Sequence, residues 1–389
     1  MDTEHLQFKR FKELGTYIPP QQILLGEREE VRKKGNKMVL CKIPTSAEFV
    51  PIGSGLKQLF QLPDVYNQTI KYMKMLDSLS DKVVINFVQS KFWQELAKPF
   101  VHSRKLVMPI FLYFDDFQNN NALGSHAGIG KCGAVYISIP CLPDEFRSKL
   151  ENIFTFCLFN TLDRKVFKNE NVLRQVLAEL KLLEEDGITI NVNNQSVKIY
   201  FLLALVLGDN LGLHSILGLG ESFRARNPCR FCLISFDDLC KFFSEREVSE
   251  LGLLRNEANY AADVNEVLLN GCPSHNIVEE CVFHKLVYYH ILRNIIVDIM
   301  HDLWEGIVHY DLCKILFVFI KVRKYFSLEQ LNSRIAAFKY QDWENKPVQI
   351  HENHIKRGKL KMSSAETMTL VRNFVLLIGD WIPFGDSHW

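Results

Sequence analysis

Val197-Lys198-Ile199-Tyr200-Phe201-Leu202-Leu203-Ala204-Leu205-Val206-Leu207-Gly208-Asp209-Asn210 is the stretch on which the fold turns. From Val197 to Leu207 it holds a single charge, Lys198, and is rich in β-branched and aromatic residues. A continuous apolar run bounded by Gly-Asp-Asn reads as a strand buried on both faces, the pattern of a parallel strand covered by helices. The acid that ends it is presented at a sheet edge, ahead of residues 211–219, which read as a helix with small residues on one face.

Working outward, residues 107–114 (Val-Met-Pro-Ile-Phe-Leu-Tyr-Phe) form a second apolar run, ended by Asp115-Asp116. A Gly-rich turn over 124–130 leads to a third, 133–139, closed by Pro140, so the two neighbours read as a hairpin. Val172, Leu173, Val176, Leu177, Leu180, Leu182 and Leu183 make a helical stripe, and Ile188-Thr189-Ile190 after Gly187 reads as an edge strand. Helical spacing also covers 51–101, 282–322 (two packed helices) and 363–382. Residues 27–37 are almost wholly polar and read as a surface segment or linker. The expectation is a mixed α/β protein in three parts: a helical or irregular region over 1–104, the first part of the core over 105–225, and a helical region over 226–389.

With 389 residues, 47% hydrophobic and 23% charged, the chain can bury one large core or two modest ones. Lys plus Arg number 46 against 45 Asp plus Glu, so no global field draws the molecule onto DNA or an anionic membrane, and nucleic-acid contact must come from local patches. Ten scattered cysteines suit a reducing compartment better than a disulfide framework. Met1-Asp2-Thr3-Glu4-His5 lacks the basic start and apolar run of a signal peptide. The most apolar stretches, 199–207 and 315–320, fall short of the ~18–20 residues a membrane span needs. A soluble intracellular protein is expected.

Three constellations could carry chemistry. Asp115 or Asp116 after one strand and Asp209 after another could hold Mg²⁺, which takes one or two carboxylates plus substrate phosphates. The bland reading is that acids end strands because the chain is leaving the core. Cys229-Arg230-Phe231-Cys232 has the spacing of half a zinc site, and His351 and His354 could complete it, with Cys240, Cys272, His275 and Cys281 as rivals. Against that, two cysteines can fall at this spacing by chance and pack as small apolar groups. Asp298-Ile299-Met300-His301-Asp302-Leu303-Trp304-Glu305 would place His301 and Glu305 one turn apart on an α-helix, as catalytic groups or as satisfied interior polar residues. Arg224-Ala225-Arg226 and the basic run 356–361 could touch phosphates or simply be solvated.

Together, Phe114-Asp115-Asp116-Phe117 with Asn121-Ala122-Leu123-Gly124-Ser125-His126, Leu207-Gly208-Asp209-Asn210-Leu211-Gly212-Leu213-His214, Cys229-Arg230-Phe231-Cys232 and Asp298-Ile299-Met300-His301-Asp302-Leu303-Trp304-Glu305-Gly306 form an ordered set. This set resembles the transposase-derived proteins of animal CACTA-type (En/Spm-like) DNA transposons, over roughly residues 14–383. The resemblance implies a ribonuclease H-like core with a zinc-bearing insertion, in which two aspartates and a later acid bind two Mg²⁺ (or Mn²⁺) ions. Asp115 or Asp116 would be the first acid and Asp209 the second. Cys229 and Cys232 would be a Zn²⁺ half-site, and Asp298 with His301 the Asp-x-x-His string.

The activity implied is DNA strand cleavage and strand transfer by two-metal phosphoryl transfer, on transposon ends, in the nucleus. Membrane is not an expected partner, and homo-oligomerisation is left open. The third acid of the family is expected beyond residue 383, so the core is expected to be incomplete and the chain inactive as written, with Glu305 and Glu366 as substitutes. The rivals are a non-catalytic nucleic-acid- or protein-binding module and a decayed transposon fragment.

Overall fold

The computed structural model describes residues 3–35, 37–79, 83–118, 131–147, 149–387 and 389. The Gly-rich turn and the Asn121–His126 string lie outside them. The chain divides into two compact units, Met1–Ile296 and Val297–Trp389.

The first unit is built on a seven-stranded sheet of β1 (Gln21–Lys34), β2 (Lys37–Phe49), β3 (Leu106–Gln118), β4 (Lys131–Ser138), β5 (Phe154–Asn160), β6 (Ile188–Val192) and β7 (Gln195–Gly208), in the order β1-β2-β5-β4-β3-β7-β6. Neighbours run antiparallel except β3 and β7, which are parallel, with Phe114 opposite Gly208. The strand read as the decisive one is therefore an interior strand, second from the β6 edge, and buried, and the mixed α/β expectation holds. β6 covers only Gln195–Ile199 of β7. Further along β7, Val206 makes a parallel bridge to Ile295, its N–H donating to Asn294 O at 3.2 Å.

Helices cover both faces. Successive residues of β7 point to opposite sides. Tyr200 meets Phe100 of α4 (Lys91–His102), and Phe201 meets Phe60 of α2 (Ile52–Gln61). α1 (Glu4–Glu13) and α3 (Val65–Ser78) complete the N-terminal helices. α5 (Thr161–Val172) and α6 (Arg174–Glu185) follow β5, and α6 lies against β7. Ile110, Leu112, Phe114, Phe156 and Phe201 are the fully buried centre. After β7 come α7 (Asn210–Ile216), α8 (Glu245–Glu250) and α9 (Glu257–Asn270). No described helix is long and apolar enough to cross a membrane.

Two expectations for this unit are corrected. Residues 1–104 are not a helical or irregular region, because 21–49 form a long hairpin that extends the sheet. The polar stretch 27–37 reads as a linker taken alone, yet each of its residues from Glu27 to Lys34 pairs with a strand residue between Lys37 and Pro44. The first of the two helices expected over 282–322 is also absent beyond the short turn Val282–Lys285. Asn294 explains this: its side-chain Oδ1 accepts from His290 N–H (2.9 Å) and its Nδ2 donates to Ala204 O (2.9 Å), so side-chain bonds tie this segment to β7 in place of a continuing helix.

The second unit begins with a π-helix, Ile299–Ile307, and continues with α10 (Val308–Phe317), α11 (Leu328–Ala337), α12 (Glu352–Arg357), α13 (Ser364–Arg372) and α14 (Phe374–Ile378). Its own core is centred on Leu316, Phe319, Leu331, Leu370, Leu377 and Ile378. The compact units thus part at 296/297, and 1–104, 105–225 and 226–296 share the first of them.

Candidate active site

Because β3 and β7 are parallel neighbours, their C-terminal ends lie together, and a cavity of about 280 Å³ opens there. Asp115, Asp116, Asp209 and Glu221 line it with Lys131, Arg164 and Lys165. Asp115 and Asp116 do not end the strand, since β3 runs on to Gln118. Alternation turns them to opposite faces. Asp116 shares the face of Phe114, whose ring stacks on Phe159 (6.1 Å), and Thr161 Oγ1 donates to Asp116 Oδ1 at 2.7 Å. Asp115 takes the α4 face, where its charge helps raise the phenol of Tyr136 behind burial and Cys132.

Burial pushes the Asp116 carboxyl above its usual range, while the Thr161 hydrogen bond, Arg164 and Lys131 act the other way. Asp209 is the N-cap of α7, its Oδ1 accepting from Gly212 N–H. Strand end and helix start thus fix this carboxylate from both sides. Arg164 donates to Ser215 O (2.8 Å) and to Glu221 Oε1 (3.1 Å), and its guanidinium sits 5.9 Å from the Phe114 ring centre. Lys165 Nζ lies 3.7 Å from Glu221 Oε2. Glu221 escaped the sequence reading: it follows a Gly-Leu-Gly turn with no strand or periodic pattern to mark it. Its place depends on α7 reversing the chain and on the two α5 cations.

No family model matches this chain, and no curated protein matches it in sequence.

The remaining expected site residues are placed as follows. Cys229 and Cys232 lie in a tight loop of the first unit, where Cys229 Sγ accepts from Phe231 N–H (3.3 Å) and Arg255 Nε donates to Cys229 O (3.2 Å). The Cys229 thiol is pushed down, chiefly by a hydrogen bond with Cys232, whose own thiol is pushed up. His351 and His354 belong to the second unit and are spent locally, as His351 N–H donates to His354 Nδ1 (3.4 Å) in the cap of α12. Among the described residues, no three His, Cys, Asp or Glu side chains gather closely enough to hold a metal ion.

Asp298 caps the π-helix: its Oδ1 accepts from His301 N–H (3.1 Å) and its Oδ2 lies 2.5 Å from His301 Nδ1. In a π-helix the repeat is i→i+5, so the expected one-turn α-helical spacing of His301 and Glu305 does not apply. Glu305 instead accepts from Ser364 Oγ at 2.6 Å. Glu366 is taken up in the capping box of α13, accepting from Ser363 N–H at 2.8 Å.

The donor set of the cavity suits a hard divalent cation in one respect: Asp116 and Asp209 offer two carboxylates, as many as Mg²⁺ ordinarily takes when phosphate oxygens and water complete its shell.

Proposed function

We propose that this chain carries a ribonuclease H-like core of the CACTA-transposase kind and that the cavity beside β3 and β7 acts on DNA phosphodiesters. The observation that carries the reading is that the parallel pairing of β3 and β7 brings Asp116 and Asp209 to one cavity. The order β5-β4-β3-β7, antiparallel until the parallel last pair, supports the same core, as does the parallel bridge of Ile295 on the far side of β7.

In this reading Asp116 is the first acid rather than Asp115, Asp209 the second, and Glu221 the third carboxylate available at the cavity itself. Mg²⁺ or Mn²⁺ held by Asp116 and Asp209 would supply Lewis-acid stabilisation of charge at the phosphate. Thr161 and Gly212 N–H hold the two carboxylates in place. Lys131 and Lys165 offer positive charge to the DNA backbone, and Arg164 holds Glu221 at the cavity wall.

The test is nicking of supercoiled plasmid with Mg²⁺ or Mn²⁺. Wild type is expected to nick, Asp116→Asn and Asp209→Asn to lose at least a hundredfold, and Asp115→Asn to lose far less. Equal loss at Asp115 alone would reverse the choice of first acid. Undiminished nicking by Asp209→Asn would sink the site. Wild-type binding to duplex without any metal-dependent nicking would favour the second reading, a DNA-binding module that kept the fold; Glu221, tied to Arg164 and Lys165 and so less free to serve a metal, is what gives that reading weight.

A further inference from the structure

The β1–β2 hairpin is longer than the sheet needs. Only Glu48 and Phe49 of β2 pair with β5, while β1 and β2 pair with each other out to Lys34 and Lys37. Its base is fastened to α5. Arg28 is ion-paired with the buried Asp163 and with Glu30, and Gly26, at φ 145°, lets the Phe167 ring approach where a Cβ would stand 2.7 Å from it. Beyond Arg28, residues 29–34 and their partners run on as a bare two-stranded ribbon, roughly 20 Å long at the usual rise per residue.

The ribbon carries two acids at its base, Glu29 and Glu30, the latter paired with Arg28 and Arg32, and beyond them, from Val31 to Lys42, five cations, Arg32, Lys33, Lys34, Lys37 and Lys42, and no acid. The register gives its two faces different characters. Arg32, Val39 and Lys37 share the face of Arg28. Following the pairing from β2 through β5 and β4, this is also the face of Phe159, Gly133 and Asp116. The opposite face carries Val31, Met38 and Leu40, exposed at 59, 68 and 60%, beside Lys33.

We propose that the β1–β2 ribbon is an arm that enters a groove of duplex DNA and grips its phosphate backbone from both faces, Arg32 and Lys37 on the face shared with Asp116 and Lys33, Lys42 and the exposed aliphatic side chains on the other. A two-stranded ribbon fits a DNA groove, cations supply the backbone contacts, and exposed aliphatic side chains can lie against sugars or wedge between base steps. Charge complementarity and continuity with the face of Asp116 select this partner. The inference deepens the proposed function and takes its DNA partner from that reading.

The test is fluorescence anisotropy of a fluorescein-labelled random-sequence duplex of about three helical turns, titrated with the full chain in EDTA between ~0.05 and ~0.2 M salt. The variants are Lys33→Ala/Lys37→Ala/Lys42→Ala and, separately, Met38→Ser/Leu40→Ser, each checked for unchanged thermal unfolding. The triple variant is expected to bind at least tenfold more weakly and to flatten the log–log salt slope by about 2.7, since each lost phosphate contact removes ~0.9. The serine pair is expected to weaken binding with the slope unchanged.

Wild-type affinity and slope in the triple variant overturn the arm. So does an outcome in which the serine pair breaks a dimer of the chain while duplex binding is untouched, which would make the ribbon a protein interface. Because EDTA removes metal-dependent chemistry, failure of the nicking assay leaves the arm standing if the triple variant loses binding. Wild-type nicking with unchanged KM in the triple variant overturns the arm alone.

Discussion

Asp209 does two jobs that substitution can separate. As the N-cap of α7 it satisfies Gly212 N–H, and as a carboxylate it charges the cavity. Asn caps about as well as Asp, whereas Ala forfeits ~1 kcal/mol. Asp209→Asn is therefore expected to unfold in urea at the wild-type midpoint and to lose nicking, while Asp209→Ala loses both. A destabilised Asn variant would show that the charge itself matters to the fold. A second residue-scale prediction concerns His284 and His290, stacked at 4.6 Å. Each accepts a backbone N–H on one ring nitrogen, His284 Nε2 from Ile291 (3.1 Å) and His290 Nδ1 from Leu292 (3.2 Å), so both are held neutral. Burial pushes His284 down to about 4, with His290 adding to it and Glu257 opposing. Glu280, Tyr260 and Arg293 are the other titratable groups around the pair. A histidine lowered in the folded state contributes stability that is complete above its ordinary pKa of 6.5 and is lost as pH falls from there through about 4. Urea midpoints measured across that window should fall in the wild type and fall less in His284→Gln. Both aspartates of the cavity were legible in the sequence because each follows a long apolar run. Which of Asp115 and Asp116 faces the cavity helices was not, since adjacent acids differ only by strand phase.

At the scale of elements, what could be read were runs and stripes. β3, β4, β6 and β7 follow from apolar runs, and α2, α4 and α6 from spacing. The β1–β2 ribbon could not be read so, because beyond Arg28 its residues face solvent and carry no buried alternation. α7 shows the opposite limit: it was expected over 211–219 but ends at Ile216, and its placement depends on contacts made by backbone. A Cβ at Gly212 would stand 2.9 Å from Asp209 Oδ1 and 3.3 Å from Phe114 Cδ1, so the helix can lie this close to β3 only with glycine there. Gly212→Ala removes no polar group, yet it must push the Asp209 carboxylate or the Phe114 ring aside. Nicking is expected to drop tenfold or more, with a destabilisation of about 1–3 kcal/mol from overpacking. Wild-type nicking in that variant would mean that Asp209 tolerates displacement and is not held for catalysis.

For the molecule as a whole, length and hydrophobic content allowed one core or two, and the structure has two compact units, parting after Ile296. The boundary was hidden because its flanks, Ile295-Ile296-Val297, are apolar on both sides and carry no Pro, Gly or Ser run to mark a linker. The two cores offer matched probes: Leu112 in the sheet of the first and Leu331 in α11 of the second are both 0% exposed. Truncating a fully buried leucine to alanine costs ~2–5 kcal/mol. If each core melts as its own cooperative unit, calorimetry of the wild type resolves two transitions, Leu112→Ala lowers one, and Leu331→Ala lowers the other. If duplex DNA binds through the β1–β2 ribbon as proposed, it should raise only the transition that Leu112→Ala lowers, by mass action on the folded state. A single transition that both substitutions shift equally would instead mean that the two cores unfold as one.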